Sequence, residues 1–385
     1  MFPSRRATLG GDVFRDEFSV SFDGTDEFIN TTLPPSTFHG DFSVVAWVKR
    51  TTSTSRQTII CSRDADKDQA LFEVAPSTAV SNNKLQFRAS DGTDRYTTSL
   101  TEINTEDGWT HVAYTNENAV RQRVYVNGKV NGSSTHDFTL NLSANVFIGS
   151  NTGSSQFWNG SISEIAIYNK ALSKSEMKTI YNGREPYNHK EGVCANNLIA
   201  WYRMGDGALD RFGITGDTNF QNGVITDVLN AKLGNNLVTN GDFSTWTGDN
   251  PDNWTVNNET SDNTISQSGN AVRMVFTTGD FLDMTQSILT VDKIYKVTID
   301  CTAFDSGTGF RIQSGNDSAN RAVNILSSSG LGTYVGYLKA SHSNLRIIRN
   351  GAIDVTFTNV TCREVLNNTG IVRNMIPTNI TGNTP

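Results

Sequence analysis

Residues 157–182 read FWNGSISEIAIYNKALSKSEMKTIYN, and two periodicities meet within them. After the turn signal Asn159-Gly160, the run ISEIAIYN (162–169) has the length and apolar content of a buried strand. From Leu172 the spacing changes. Ser173 and Glu176 stand three apart as a capping box, Met177, Ile180 and Tyr181 fall on one helical face, and Gly183 follows as a stop. The stretch predicts a strand, then a short helix whose apolar face lies on a sheet.

Upstream, the same strand pattern recurs at close intervals. FSVSFDG (18–24), FSVVAWVKR (42–50), TIICSR (58–63), ALFEVA (70–75) and KLQFRAS (84–90) are separated by Gly, Asn, Asp and Ser turns. WTHVAYT (109–115), RVYVNGKV (123–130) and NVFIGS (145–150) continue the series. Short strands at this spacing predict a sandwich or barrel. Asn127-Gly128, between YV and KV, is a hairpin signal, because both central positions of a type I′ turn need positive φ.

A second β-rich stretch starts near Asn236 and includes AVRMVFT (271–277), KIYKVTIDCTAF (293–304), GFRIQS (309–314), TYVGYLKA (333–340), NLRIIRN (344–350) and DVTFTNVTCREV (354–365). The expected organisation is an all-β chain of two β-sandwich domains, 16–235 and 236–366, with one short helix after the first sandwich. An arm (1–15) precedes them and a tail (367–385) follows.

Composition sets limits on function. The 385 residues carry a net charge of −7, are 36 % hydrophobic and only 18 % charged, and include 40 Asn against 32 Lys and Arg. That is enough apolar material for cored domains. A nucleic-acid footprint needs clustered Lys and Arg, which the mild acidity argues against. No apolar run approaches the roughly 18 residues of a membrane span. Met1 to Phe22 holds no apolar stretch of the secretory-leader kind. Cys61, Cys194, Cys301 and Cys362 have no zinc spacing and are too few for a disulfide scaffold, so buried free thiols are expected. Cys301 and Cys362 both fall in strand-like segments and could be neighbours.

The first half resembles the laminin-G-like, concanavalin A-like jelly-roll family. The resemblance rests on SFDGTDEFIN (21–30), DFSVVAWVKR (41–50), GWTHVAYT (108–115), VYVNGKV (124–130), VFIGSN (146–151) and the 157–182 block, in the family's order over about residues 15–210. It implies a jelly-roll sandwich with a calcium site at a loop edge, for which Asp64 and Asp91 are the candidates. LIAWYRMGDG (198–207) and the terminal GIVRNMIPTNITGNTP (370–385) look like two consecutive blocks of phage-type members of that family. Their separation here suggests that the second domain is inserted and that the tail returns to the first. Asn240-Gly241-Asp242-Phe243, with Trp246 and Trp254, resembles carbohydrate-binding modules of the galactose-binding-like type.

Enzyme motifs are weak throughout. A retaining glycosidase needs two carboxyls about 5 Å apart. The nearest string, Glu102-Ile103-Asn104-Thr105-Glu106, has Asn at its centre and precedes the Asp107-Gly108 turn. Asp64-Ala65-Asp66-Lys67-Asp68 opens like a calcium loop, but Gln69 and Ala75 stand where an EF-hand needs Gly and Glu. The five His show no metal spacing, and no nucleophile elbow or phosphate loop occurs. Aromatics carry the binding argument, because sugar C–H faces stack on rings. Trp47, Trp109 and Trp201 lie within apolar strands and read as core. Trp158, near a loop edge, and Trp246 and Trp254, flanking TGDNPDN, fit either a ligand platform or core capping.

The expected function is therefore a non-enzymatic structural and adhesion protein of a virus particle, made in the host cytoplasm. It would display lectin-like domains to a cell-surface glycan and form a homo-oligomer with other virion proteins as partners. Met1–Arg15 would serve as a docking arm. The alternatives are a cellular carbohydrate-binding protein and a polysaccharide-active enzyme with unrecognised catalytic residues.

Overall fold

Alternation decides which side of each strand is buried, and both halves of the chain obey it. The computed structural model describes residues 14–51, 54–64, 68–75, 83–206, 222–227, 232–279, 281–326, 330–366, 369–373, 375 and 379–385. The protein is all-β, built from antiparallel sandwich sheets with one α-helix among the described residues. The chain forms two compact units. One comprises Met1–Ala208, Asp227–Leu229 and Ile380–Pro385, the other Leu209–Thr226 and Asn230–Asn379.

In the first unit one sheet runs Lys129–Ser134, Arg121–Val126, Thr110–Glu117, Phe42–Arg50, Asn159–Tyr168, Ser19–Asp23 and Ile380–Thr381, with Leu198–Tyr202 also pairing with Asn159–Tyr168. Strands Phe28–Thr31, Val146–Ile148, Gln57–Arg63, Asp68–Val74, Lys84–Asp91 and Asp94–Glu102 follow one another in the facing sheet. Rings link the sheets. Phe87 stacks on Tyr114 at 3.8 Å between centroids and sits 5.7 Å from Phe42. The predicted hairpin is present, with Asn127 at φ 48° and Gly128 at φ 71°. A Cβ on Gly128 would also lie 2.7 Å from the Tyr181 Cβ.

Helix Lys174–Tyr181 starts at the predicted box. The Glu176 N–H donates to Ser173 Oγ (3.3 Å), and the Ser173 N–H donates to the Glu176 carboxylate (2.8 Å). It ends one residue earlier than the glycine suggested, on Asn182 in the left-handed region. Met177 and Ile180 bury against Val45, Ala166 and Trp201 on the outer face of the first sheet. Tyr181 stacks on Trp47 at 5.9 Å. The terminal strand pairs with the first, Ser19 opposite Thr381 and Val20 opposite Ile380. Residues 1–13 of the expected docking arm lie outside the described residues, while Phe14 packs on Trp201 at 5.8 Å.

In the second unit one sheet runs Thr264–Gln267, Val272–Phe276, Ile353–Leu366, Ile294–Gly307 and Gly332–Lys339, with Lys232–Asn236 added to Ile353–Leu366. The other runs Thr255–Asn257, Asp283–Ser287, Asn344–Arg349, Gly309–Ser314 and Asp317–Leu326. Asn222–Thr226 pairs with Thr369–Arg373. Val272, Met274, Val297 and Phe357 from the first of these sheets meet Met284, Phe310, Ile312 and Ile347 from the second in a single core. Cys301 and Cys362 belong to that core as free thiols. Cys301 faces Phe357 and Cys362 faces Val297, so the two are not cross-strand partners.

Candidate functional site

Met284, Leu345 and Ile347 point into the core of the second unit, so their neighbours Asp283, Thr285, Ser287, Asn344 and Arg346 are directed to the opposite face. On the adjoining strand Val256 packs inward and leaves Thr255 and Asn257 on the same outer face. The register sets Thr255 and Arg346 on either side of Thr285, and Asn257 opposite Asp283. Together with Asn316 and His342 from the flanking turns, these side chains line a groove of about 620 Å³. Among the described residues its wall is made of amides, hydroxyls, one carboxylate, one guanidinium and one imidazole.

The floor is organised by an ion pair. Arg346 Nη2 lies 2.7 Å from Asp283 Oδ2, with side-chain exposures of 15 % and 3 %. The other oxygen, Asp283 Oδ1, accepts from Asn257 Nδ2 at 2.8 Å, and Arg346 Nη1 donates to Asn316 Oδ1. His342 Nδ1 accepts the Asn344 N–H (3.1 Å), which leaves the hydrogen of the neutral ring on Nε2. Ser314 Oγ accepts the N–H groups of Ser341 (3.0 Å) and His342 (2.9 Å) and fixes that turn. Gly315 has φ 52°, and a Cβ there would lie 2.7 Å from the His342 Cβ, so only glycine brings the turn this close.

The indoles singled out in the sequence lie elsewhere. Trp158 is wholly buried in the first unit and presents no face to a ligand. Trp254 is 6 % exposed, belongs to the second core, and donates Nε1–H to Asn240 O (3.2 Å). Trp246 is half-buried against the same core and donates to Phe243 O (2.8 Å). The TGDNPDN turn folds both rings inward, because each indole N–H finds a backbone carbonyl beside the core.

The two calcium candidates are also engaged. Asp64 accepts the N–H groups of Ser143 (2.9 Å) and Ala144 (2.7 Å), and Asp91 pairs with Arg95 at 2.5 Å. Residues 65–67 lie outside the described residues. Glu102 ends the strand Asp94–Glu102, and Asn104 with Asp107 caps the next turn, so the Glu102–Glu106 string does not run along one strand.

Among the described residues, the carboxyl group that could hold a metal ion by spacing is Asp16, Glu164 and Asp206, with oxygens within 4.8 Å of one another. Glu164 sits in a register shift at φ 52° and is 1 % exposed. It accepts from Trp201 Nε1 (2.5 Å) and Arg203 Nε (3.2 Å). Asp206 accepts the N–H groups of Glu17 (3.1 Å) and Phe18 (3.0 Å). Arg203 thus supplies the positive charge a cation would bring, and the donor set does not fit a further ion. No sugar ring reaches a carboxyl as deeply buried as Glu164.

Burial pushes the Asp16 carboxyl up to about 7, with the Asp206 charge adding to it, and burial pushes Glu164 well above the carboxylate range. Acids raised in the folded state bind more protons folded than unfolded, so their contribution to stability is lost as pH rises from about 4 through about 7. Thermal unfolding of the first unit should therefore shift down between about pH 5 and about pH 8, and Asp16→Asn should flatten that slope. A variant whose profile tracks the wild type would remove Asp16 from the account.

Residues 23–178 match the profile of the concanavalin A-like lectin/glucanases superfamily, laminin G type. No curated protein sequence matches the chain. Among solved structures it is similar to a candidate carbohydrate-binding protein of Bacteroides ovatus, at 17 % identity and TM-score 0.41 over 56 % of each chain. It thus spans little more than half the length of that protein. It is also similar to the CBM40 of a Ruminococcus gnavus IT-sialidase bound to α2,3-sialyllactose (10 % identity, TM-score 0.35, 43 % of this chain and 100 % of that one). A third is domain 4 of a GH43 extracellular arabinanase of Geobacillus stearothermophilus in complex with arabinotriose (21 %, TM-score 0.36, 42 % and 76 %). Likeness of this degree says nothing about what this chain binds. Over residues 23–178 the chain is thus similar to the laminin G-type members of the concanavalin A-like lectin/glucanase superfamily, and the facing antiparallel sheets of that stretch agree with the match.

Proposed function

We propose that this is a non-enzymatic glycan-binding protein, that the groove of its second unit is the sugar site, and that it acts as an adhesion protein on a virus particle. The observation that carries the sugar reading is the outer face of the Asp283–Ser287 and Asn344–Arg349 strands, where amides and hydroxyls line a groove over a buried ion pair. Sugar hydroxyls both donate and accept, so a wall of Asn, Thr and Ser held by strands offers them preorganised partners. Glycoside hydrolysis by either stereochemical course needs two carboxyls across the scissile bond. Among the described residues the groove holds one, Asp283, and that one is paired with Arg346.

Retention in gels containing polysaccharide tests the reading. The wild-type chain should be retarded, and Asn257→Ala with Asn344→Ala should weaken retention about tenfold, since one unmade hydrogen bond to a desolvated group costs about 1–3 kcal/mol. No new reducing ends should appear in the polysaccharide; their appearance would revive the hydrolase reading.

The virion setting is supported by the likeness of LIAWYRMGDG (198–207) and the terminal segment to phage-type blocks. Mass spectrometry of purified particles should find the chain in them, together with capsid or tail proteins. In that setting many copies would turn weak single-site binding into avidity.

A further inference from the structure

Resting on the reading of the groove as a sugar site, we propose that it selects uncharged oligosaccharides over acidic ones and that Asp283 sets this selectivity. A guanidinium on the floor of an open groove is by itself a carboxylate or sulfate receptor, with five donors in a planar fork. Here the charge is already paired and one donor on each terminal nitrogen is committed. Asp283 Oδ2 meets Arg346 Nη2 at 2.7 Å, and Asn316 Oδ1 accepts from Nη1. The next arginine on this face, Arg311, is turned to Gln313 (2.7 Å) and Asn350 (2.9 Å). An anionic sugar would have to displace a carboxylate that is 3 % exposed.

The same pair orients the amides. Asn257 gives one of its two Nδ2 hydrogens to Asp283, which fixes the amide and leaves Oδ1 and the second N–H for a ligand. Asn316 accepts from Arg346 on Oδ1, which fixes that amide and leaves its Nδ2 hydrogens for a ligand. An acceptor and a donor on opposite sides of a closed ion pair suit hydroxyl groups, which supply both complements. A carboxylate only accepts, and it would face both Asn257 Oδ1 and the Asp283 charge. Lining residues come from three adjacent strands and the turn after a fourth, and with strands about 4.8 Å apart the groove is about 15 Å across, longer than a single sugar ring.

The test is electrophoresis of the full chain through gels holding neutral polysaccharides (mannan, dextran, xylan) or acidic ones (alginate, polygalacturonate), each at low and high sodium chloride. The wild type should be retarded by at least one neutral polymer equally at both salt levels, and by neither acidic one. Asp283→Asn leaves Arg346 unpaired and should gain at least tenfold in retention on an acidic polymer, lost again at high salt. Asn316→Ala, which changes no charge, should weaken neutral retention about tenfold without gaining acidic retention. Retention of the wild type on acidic polymers alone would overturn the selectivity and leave the sugar site standing. A folded Asp283→Asn chain with no acidic gain would overturn the role of Asp283. Should that variant fail to fold, the wild-type salt dependence and Asn316→Ala decide. Retention on neither class would sink the sugar reading itself.

Discussion

Arg203→Met is expected to destabilise the first unit by about 1–3 kcal/mol, the range for leaving buried acceptors without their donor. The physical reason lies in what Arg203 faces. Its Nε is 3.2 Å from Glu164, its Nη2 is 3.9 Å from Asp206, and its guanidinium lies 4.7 Å from the Phe14 ring and 5.4 Å from the Trp201 ring. Methionine keeps much of the stem and its packing, so the loss isolates the charge. Glu164 would then keep only the Trp201 N–H as a donor among these partners. It would respond by holding its proton more firmly, which makes the loss smaller in acid than at about pH 8. Thermal or denaturant unfolding at the two pH values checks this. A loss below about 1 kcal/mol, equal at both, would mean that the carboxyl group is neutral without help from Arg203.

Trp254→Ala should cost the second unit about 3–5 kcal/mol, through a cavity rather than a charge. Trp254 is 6 % exposed and packs 5.6 Å from Phe243, which in turn meets Phe357 at 5.8 Å. Removing the indole also leaves Asn240 O without the Nε1 donor. Trp246 is only partly buried, so the same change there should cost less. The fraction of Trp254→Ala chains that remain folded should bind glycan as the wild type does, because the groove is lined by other residues. A variant that keeps its unfolding midpoint and loses glycan retention would restore the indole as a sugar platform.

These two residues mark what the sequence could and could not say. The strands were legible wherever one face is apolar. FSVVAWVKR coincides with Phe42–Arg50, and KLQFRAS lies within Lys84–Asp91. The helix start was legible because a capping box is local chemistry, read from Ser173 and Glu176 alone. Asp94–Glu102 was not, since DRYTTSLTE is mostly polar, its Tyr96 and Leu100 are exposed, and it is held by its neighbour Lys84–Asp91 rather than by an apolar run. The groove was hidden for a similar reason. Thr255 and Asn257, or Asp283, Thr285 and Ser287, alternate in the way any solvated strand face does, and only cross-strand register brings them beside Arg346. The tryptophans are ambiguous in one dimension. An aromatic beside a polar turn fits a rim or a lid equally, and the fold buries Trp254 in the core while leaving Trp246 half-buried against it. The Asp16, Glu164 and Asp206 group could not be foreseen at all, because its members are scattered over some 190 residues and meet only through a bulged strand.

The pairing of Ser19–Val20 with Ile380–Thr381 has a consequence for how the molecule is made. A ribosome delivers Thr381 more than 360 residues after Ser19. At about 5–20 residues per second, that interval lasts on the order of half a minute. Throughout it, one edge of the first sheet lacks its final neighbour, with backbone donors and acceptors open to any other nascent chain. Messages cut short before codon 380 would leave that edge permanently uncovered, so truncated products should accumulate in the insoluble fraction. Joining Ala208 to Asp227–Leu229 and these to Ile380 through short linkers, by contrast, keeps every piece of the first unit and should yield soluble material.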